Sequence, residues 1–284
     1  MRPVAFELYH PVVPATLLGG ITVLAMVAIE PVCTAILLAG ALCFSALTQG
    51  IRAAVSKIRW QLPLLLLICV INPVFSALGS TLVMRVGPFL VYAESLAFGA
   101  VMGALLVSVL MWIEGIGLVI GQDELLVLAG GALPSVSLAI SMTAQLVPQL
   151  MRRARMALGS LRAVSASTGG KSARTRVMSS LATWALEDSL ERADSMRARG
   201  WAATPHRTHY RQRPFRERDG IAFVICITLV ATAALGVHAA LATWRFYPRM
   251  TGFAPLWAYV SLAVLAAVPS LVVIVEHLRW RAEK

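Results

Sequence analysis

LLVLAGGALPSVSLAISMTAQLV, residues 125–147, carries no charged side chain and is broken by Gly130-Gly131 and Pro134. Whether it crosses a bilayer decides how the rest of the chain is threaded. Length alone permits a crossing, since a helix needs about 20 apolar residues to span the hydrocarbon core. The glycine pair and the proline cut the stretch into pieces, and Gln145 and Pro148 interrupt the second piece. The charges on either side settle the question.

Hydrophobic residues make up 58% of the 284 positions and charged residues 14%. Soluble globular chains hold roughly 45–50% and about 25%, so this is membrane-protein composition. Besides residues 125–147, the apolar stretches are 12–29, 32–49, 61–78, 96–121, 221–244 and 253–275. The N-terminus MRPVAFELYHPVVP lacks a basic region leading directly into an apolar run and a small-residue cleavage site. The first hydrophobic helix is therefore expected to be retained.

Residues 152–219 carry fifteen Lys and Arg against six Asp and Glu, a net of +9 out of the chain's +11. Such a basic segment flanked by hydrophobic spans is explained by the positive-inside rule, with no need for a nucleic-acid partner. Arg52, Lys57 and Arg59 make a second, shorter basic loop, whereas residues 79–95 carry only Arg85 and Glu94. With the N-terminus inside, four crossings return the chain to the inner face at Gln122-Asp123-Glu124. A crossing by residues 125–147 would then place the +9 segment outside, against the arginines close to the helix ends. That stretch is therefore read as a short turn of helix followed by a longer helix that leaves the membrane.

The expectation is an all-α, polytopic membrane protein with about six transmembrane helices and a cytoplasmic insert of amphipathic helices. Its parts are the N-terminal transmembrane helices (1–124), the insert with its membrane-exit helix (125–219), and a C-terminal transmembrane hairpin with a basic tail (220–284). The four cysteines, Cys33, Cys43, Cys69 and Cys226, lie in apolar runs without CxxC spacing and read as small hydrophobes. His206 and His209 sit among arginines, which argues against a metal site there.

Within the insert, Leu150, Met151, Ala154, Ala157, Leu158 and Leu161 recur at helical spacing, with arginines opposite. Residues 165–170, SASTGG, read as a flexible linker. A second amphipathic helix is expected over 175–199, with Val177, Leu181, Trp184, Ala185 and Leu190 on one side. Glu187, Glu191 and Asp194 stand at spacings that permit pairing with Arg192 and Arg197. Gly200 occupies a C-cap position, and Arg197 and Arg199 suit the negative end of the helix dipole. A basic last turn closed by glycine accounts for Arg199 structurally. Its small neighbours Ala198 and Gly200 also allow a partner's backbone to come close, so that the guanidinium can pair with carboxylates in a groove.

The stretch LERADSMRARGW, with Ala193, Met196, Ala198, Arg199, Gly200 and Trp201, resembles the coupling motif of the transmembrane T component of energy-coupling factor (ECF) transporters. Ile71-Asn72-Pro73-Val74-Phe75-Ser76 followed by Gly79 and Thr81 is similar to a second motif of that family. So are Glu94-Ser95 with Gly99, Gln122-Asp123-Glu124-Leu125-Leu126 with Leu133-Pro134, Leu146-Val147-Pro148, and His10-Pro11. The ordered set covers residues 10 to about 201. The resemblance implies a non-catalytic subunit in the cell membrane that docks two ATP-binding-cassette ATPases by arginine-bearing helix tips. It also implies a small hydrophobic S component as a membrane partner, which captures a vitamin or metal ion. The docking residues so implied are Ala198, Arg199 and Gly200, with Arg197 beside them. The family's first Ala-Arg-Gly-like tip falls near Ala163-Val164-Ser165, where the arginine is missing; Arg162 stands one residue away. No cofactor is expected on this chain: it has no GxxxxGK[ST] sequence to cradle ATP phosphates, so ATP belongs to the partner ATPases.

Asn72, Pro73 and Glu94 are candidates for structural roles or for facing the S component. Asn72 is expected to satisfy carbonyls freed by Pro73, and Glu94 to favour the dipole at the start of its helix. Glu114 is read either as a functional intramembrane carboxylate or as an interfacial one. Two other functions compete. A polytopic enzyme acting on lipid or prenyl substrates wants a richer carboxylate or His-Glu cluster than Asp123-Glu124. A stand-alone secondary carrier often shows internal repeats, and none is evident.

Overall fold

The computed structural model describes residues 6, 9–75, 79–86, 89–121, 124–125, 128, 134–164, 171–201, 215–247 and 250–282. Eight helices lie among them: α1 (Val12–Val27), α2 (Pro31–Gln49), α3 (Ile51–Phe75), α4 (Ala93–Val119), α5 (Pro134–Val164), α6 (Lys171–Ala198), α7 (Glu217–Thr243) and α8 (Leu256–Ala282). The chain divides into two compact units, one made of Met1–Leu125 with Arg213–Lys284 and the other of Leu126–Gln212. Helices α2, α3, α4, α7 and α8 are long and apolar enough to cross a membrane, which makes this a multi-pass membrane protein. The first expected span is shorter, 16 residues in α1, and α5 is not among the membrane-length apolar helices.

In the larger unit, α2 packs on α4 and α8, α1 on α4 and α7, and α3 on α4. Trp112 of α4 is fully buried, stacked on Phe44 of α2 at a ring separation of 5.9 Å. Its indole N–H donates to the Leu37 carbonyl over 3.1 Å. This is the arrangement a buried tryptophan requires, because its one polar group needs a partner.

Small residues set how closely the spans approach. A Cβ on Gly99 would fall 2.9 Å from the Asn72 Cβ and 3.1 Å from the Cys69 Cα, and one on Gly103 would fall 3.0 Å from the Leu65 carbonyl oxygen. Gly99 and Gly103, four residues apart, thus form the face of α4 that receives α3. Small-xxx-small spacing serves this purpose in membranes, where lipid supplies no hydrophobic drive between helices. Gly236 of α7 does the same against Ala258 of α8, at 2.8 Å from its carbonyl oxygen.

Two expectations need correction. Arg52, Lys57 and Arg59 do not lie in a loop: they occupy the first turns of α3. Gly50, at φ +97°, lets α2 give way directly to α3, a turn that glycine makes at low steric cost. Nor is the chain wholly helical. Residues 79–95 include an antiparallel hairpin of β1 (Leu82–Val86) and β2 (Phe89–Tyr92), with Arg85 opposite Leu90. Two short apolar runs separated by Gly87-Pro88 are a hairpin signal, one that the low charge of this connection obscured.

Carboxylates hold the larger unit at several helix ends. Glu30 is fully buried at the N-cap of α2, accepting from the Cys33 N–H at 2.7 Å and from the Tyr259 hydroxyl at 2.8 Å. Asp219 closes a capping box on α7 by accepting from the Arg216 N–H at 3.0 Å, and it also accepts from the His10 N–H at 3.3 Å. Glu276 accepts from the Phe6 N–H at 3.0 Å. At Glu30 and Asp219 the anionic acceptor sits at a helix N-terminus, where it satisfies otherwise orphaned N–H groups and meets the positive end of the dipole; Glu276, near the C-terminal end of α8, instead ties down the chain ahead of α1.

Candidate functional site

The smaller unit is built on α5 and α6. Arg153 lies over the Trp184 ring, 2.9 Å from its centroid, and Arg192 donates to Gln149 at 2.7 Å. These two contacts run in opposite sequence directions, so α5 and α6 form an antiparallel pair. Leu150, Ala154, Ala157, Leu158 and Leu161 are half-buried, while Met151 is 54% exposed.

On α6, Val177 is buried and Leu181, Trp184 and Ala185 are half-buried. Leu190 departs from the expected stripe and is 68% exposed. Asp188 and Arg192 take its place, one and two turns beyond Trp184. They are joined at 2.6 Å, and Arg192 then reaches α5. The carboxylate partner of Arg192 is thus Asp188, rather than Glu187 or Glu191. Arg197 pairs with Asp194 at 3.7 Å, three residues away on an exposed surface.

The end of α6 has defined geometry. Gly200 sits at φ +80°. The Trp201 N–H donates to the Met196 carbonyl at 2.9 Å and the Gly200 N–H to the Arg197 carbonyl at 3.0 Å. This pair of bonds is a Schellman motif, with Gly200 at C′ and Trp201 at C″. Met196 and Trp201 are half-buried, whereas Ala198, Arg199 and Gly200 are exposed. Met196, Gly200 and Trp201 therefore hold the cap, and the residues between are left at the surface. Among the described residues Arg199 makes no ion pair, in contrast to Arg197.

Arg162 falls in the last turn of α5, at Pro134–Val164; its side chain and residues 165–170 lie outside the described set. Because α5 and α6 are antiparallel, Arg162 and Arg199 occupy opposite ends of the pair. At 1.5 Å per residue from the Arg153/Trp184 and Gln149/Arg192 contacts, the two positions are roughly 30–35 Å apart.

The candidates in the larger unit meet between α3 and α4. The Asn72 amide donates to the Ser95 carbonyl of α4 at 2.8 Å. It crosses between helices and does not return to the carbonyl freed by Pro73 inside α3. Glu94, in the first turn of α4, is buried and accepts from the hydroxyls of Ser80 (3.0 Å) and Thr81 (2.9 Å) and from the Thr81 N–H (3.3 Å). Gly79 lies close enough that an added Cβ would fall 2.5 Å from the Glu94 carboxylate. Pro73 is buried within α3. Glu114 forms an ion pair with Lys57, whose ammonium also donates to Gln49.

Sequence reasoning missed Glu30 and Glu276. Glu30 had a signal, since it immediately precedes Pro31 at the start of an apolar helix. Glu276 had none, as its partner is 270 residues away. The chain matches no family model, and no curated protein matches it.

Proposed function

We propose that this chain is the membrane-embedded coupling (T) subunit of an ECF-type importer, residing in the cell membrane with residues 125–219 on the cytoplasmic side. In this reading it binds no nucleotide and catalyses no reaction. Two ATP-binding-cassette ATPases bind at the ends of the α5–α6 pair, and their ATP-driven movement passes to a small hydrophobic S component that holds a vitamin or metal ion.

The observation that carries the reading is the Schellman-capped end of α6, which leaves Arg199 exposed and, among the described residues, without a carboxylate of its own. A guanidinium between an alanine and a left-handed glycine fits a groove lined with acceptors, where bidentate pairing to a carboxylate becomes strong once water is excluded. Two further features support it. Arg162 and Arg199 stand at opposite ends of the pair, as two separate ATPases require. Four of the residues that carry the family likeness are joined by hydrogen bonds at the start of α4, Asn72 of α3 to Ser95 and Thr81 of the following connection to Glu94.

Uptake of the cognate substrate by membrane vesicles supplied with ATP tests the reading. Arg199→Ala lowers ATP-linked uptake far more than Arg207→Ala, a change of equal charge in the same basic segment. Equal losses from the two variants contradict it.

A further inference from the structure

The hairpin between α3 and α4 shows apolar side chains on both of its faces. Its base is tied to the first turn of α4: the Ala93 N–H donates to the Thr81 carbonyl at 3.0 Å, and Glu94 receives the hydroxyls of Ser80 and Thr81. From there β2 packs against both α3 and α4, while β1 packs chiefly on β2 and lies outermost. Leu82, Val83 and Met84 of β1 are 53%, 60% and 56% exposed. Leu82 stands opposite Tyr92 and Met84 opposite Val91, which are neighbours on β2. Neighbouring strand residues face opposite ways, so the irregularity at Val83 leaves exposed apolar side chains on the two faces alike.

Two physical limits fix where such a hairpin can lie. A strand with one wet face alternates apolar and polar residues, whereas residues 82–86 and 89–92, LVMRV and FLVY, hold a single charge, Arg85. Water is therefore the wrong medium for it. The hydrocarbon core is wrong too, because a two-stranded sheet has open edges whose N–H and C=O groups lipid tails cannot satisfy. Both helices that the hairpin joins are membrane-length, and the exposed apolar surface of α3 leads up to it through Val70, Ile71 and Phe75. Apolar side chains and an open backbone edge are satisfied together at the boundary between headgroups and acyl chains.

We infer that β1 and β2 form a lipid-binding hairpin, lying along the bilayer surface at the Glu94 end of the bundle with Leu82, Val83 and Met84 in the headgroup–acyl boundary. The partner is the phospholipid surface itself, met through apolar side chains. The hydrogen bonds from Ser80 and Thr81 to Glu94 hold the base of the hairpin against α4, so its level in the membrane follows that of the bundle. This inference rests on α3 and α4 spanning the membrane and is independent of ATPase docking.

The test uses the unaltered full chain, one copy per lipid nanodisc, and reads oxidation by dilute hydrogen peroxide methionine by methionine in a mass spectrometer. Met178 of α6 is 68% exposed, close to Met84, and α6 is not among the membrane-length apolar helices, so lipid cover is what separates the two. Met84 oxidises about tenfold more slowly than Met178. Equal rates overturn the inference, and this arm requires no variant to fold. A second arm tells lipid from protein cover: Val83→Cys carries an NBD fluorophore, and the signal of the unaltered chain labelled in the same way is subtracted. Phospholipid with a nitroxide near the headgroup end of its acyl chain quenches the fluorophore more strongly than phospholipid with a nitroxide near the chain end. No quenching by either lipid, or stronger quenching by the deep nitroxide, overturns the inference.

Discussion

The Trp201 N–H reaches back to the Met196 carbonyl over 2.9 Å, so the helix carrying Arg199 closes on its own backbone. The five residues from Met196 to Gly200 thereby become a fixed tip, and Arg199 stands on it paired with no anion among the described residues. That relationship turns a basic last turn into a feature able to enter a partner.

Gly200 is the residue on which the tip depends. Its φ of +80° costs an L-residue about 1–2 kcal/mol, so Gly200→Val frays the cap while leaving the larger unit folded. Limited trypsin digestion reads this as faster cleavage after Arg197 and Arg199, with no change in the thermal unfolding of the transmembrane part. Gly200→Asn, which tolerates the left-handed region better, falls between.

Packing between α3 and α4 separates two glycines of the same helix. Gly99→Leu places atoms where Asn72 and Cys69 already lie and destabilises the bundle by about 1–3 kcal/mol through overpacking. Gly117 has open space around its Cβ position, so Gly117→Ala is neutral or stabilises by about 0.5–1 kcal/mol through helix propensity. The thermal unfolding temperature in detergent falls for Gly99→Leu and stays level or rises for Gly117→Ala.

Glu30 caps α2 and receives the Tyr259 hydroxyl. Glu30→Ala leaves buried donors unsatisfied and costs about 1–3 kcal/mol. Tyr259→Phe removes two bonds, the one the hydroxyl donates to Glu30 and the one it accepts from the Ala254 N–H, but leaves Glu30 its bond from the Cys33 N–H, so its cost is of the same kind but smaller. A double-mutant cycle by thermal unfolding gives a total short of the sum of the single losses.

Tyr247, in the connection between α7 and α8, has its phenol pushed up from the ordinary 10.0, first by burial and then by the nearby Glu94 charge. A raised folded value means that the neutral phenol stabilises the fold, fully below the unfolded value and progressively less as pH rises through the folded one. Ultraviolet titration, taken as the unaltered chain minus Tyr247→Phe, shows tyrosinate forming at higher pH than in a free tyrosine. Stability then falls over that same alkaline interval, and Tyr247→Phe does not share the fall.

Membrane-length helices were legible because their signal is local: an uninterrupted apolar run needs no knowledge of the fold. The expected break at Gly130-Gly131 lies outside the described residues, and the described part of α5 starts at Pro134. The turn at Gly50 was not legible, because a basic decapeptide between two spans reads as a loop unless the left-handed glycine is seen. Asp188 displaced the expected Leu190 from the α6 stripe because its position is set by a partner on α5 reached through Arg192. Glu276 and Phe6 meet only through tertiary structure. At the tip itself, Gly200 announced the cap, while the roles of Met196 and Trp201 emerged from the backbone bonds.

Co-purification of the tagged full chain from its native membranes in mild detergent tests the central claim most directly. The account predicts that ATPase subunits travel with the unaltered chain and that Arg199→Glu releases at least one of them while the variant remains folded. A chain that purifies without any ATPase, or one whose ATPases stay bound in full after Arg199→Glu, contradicts it.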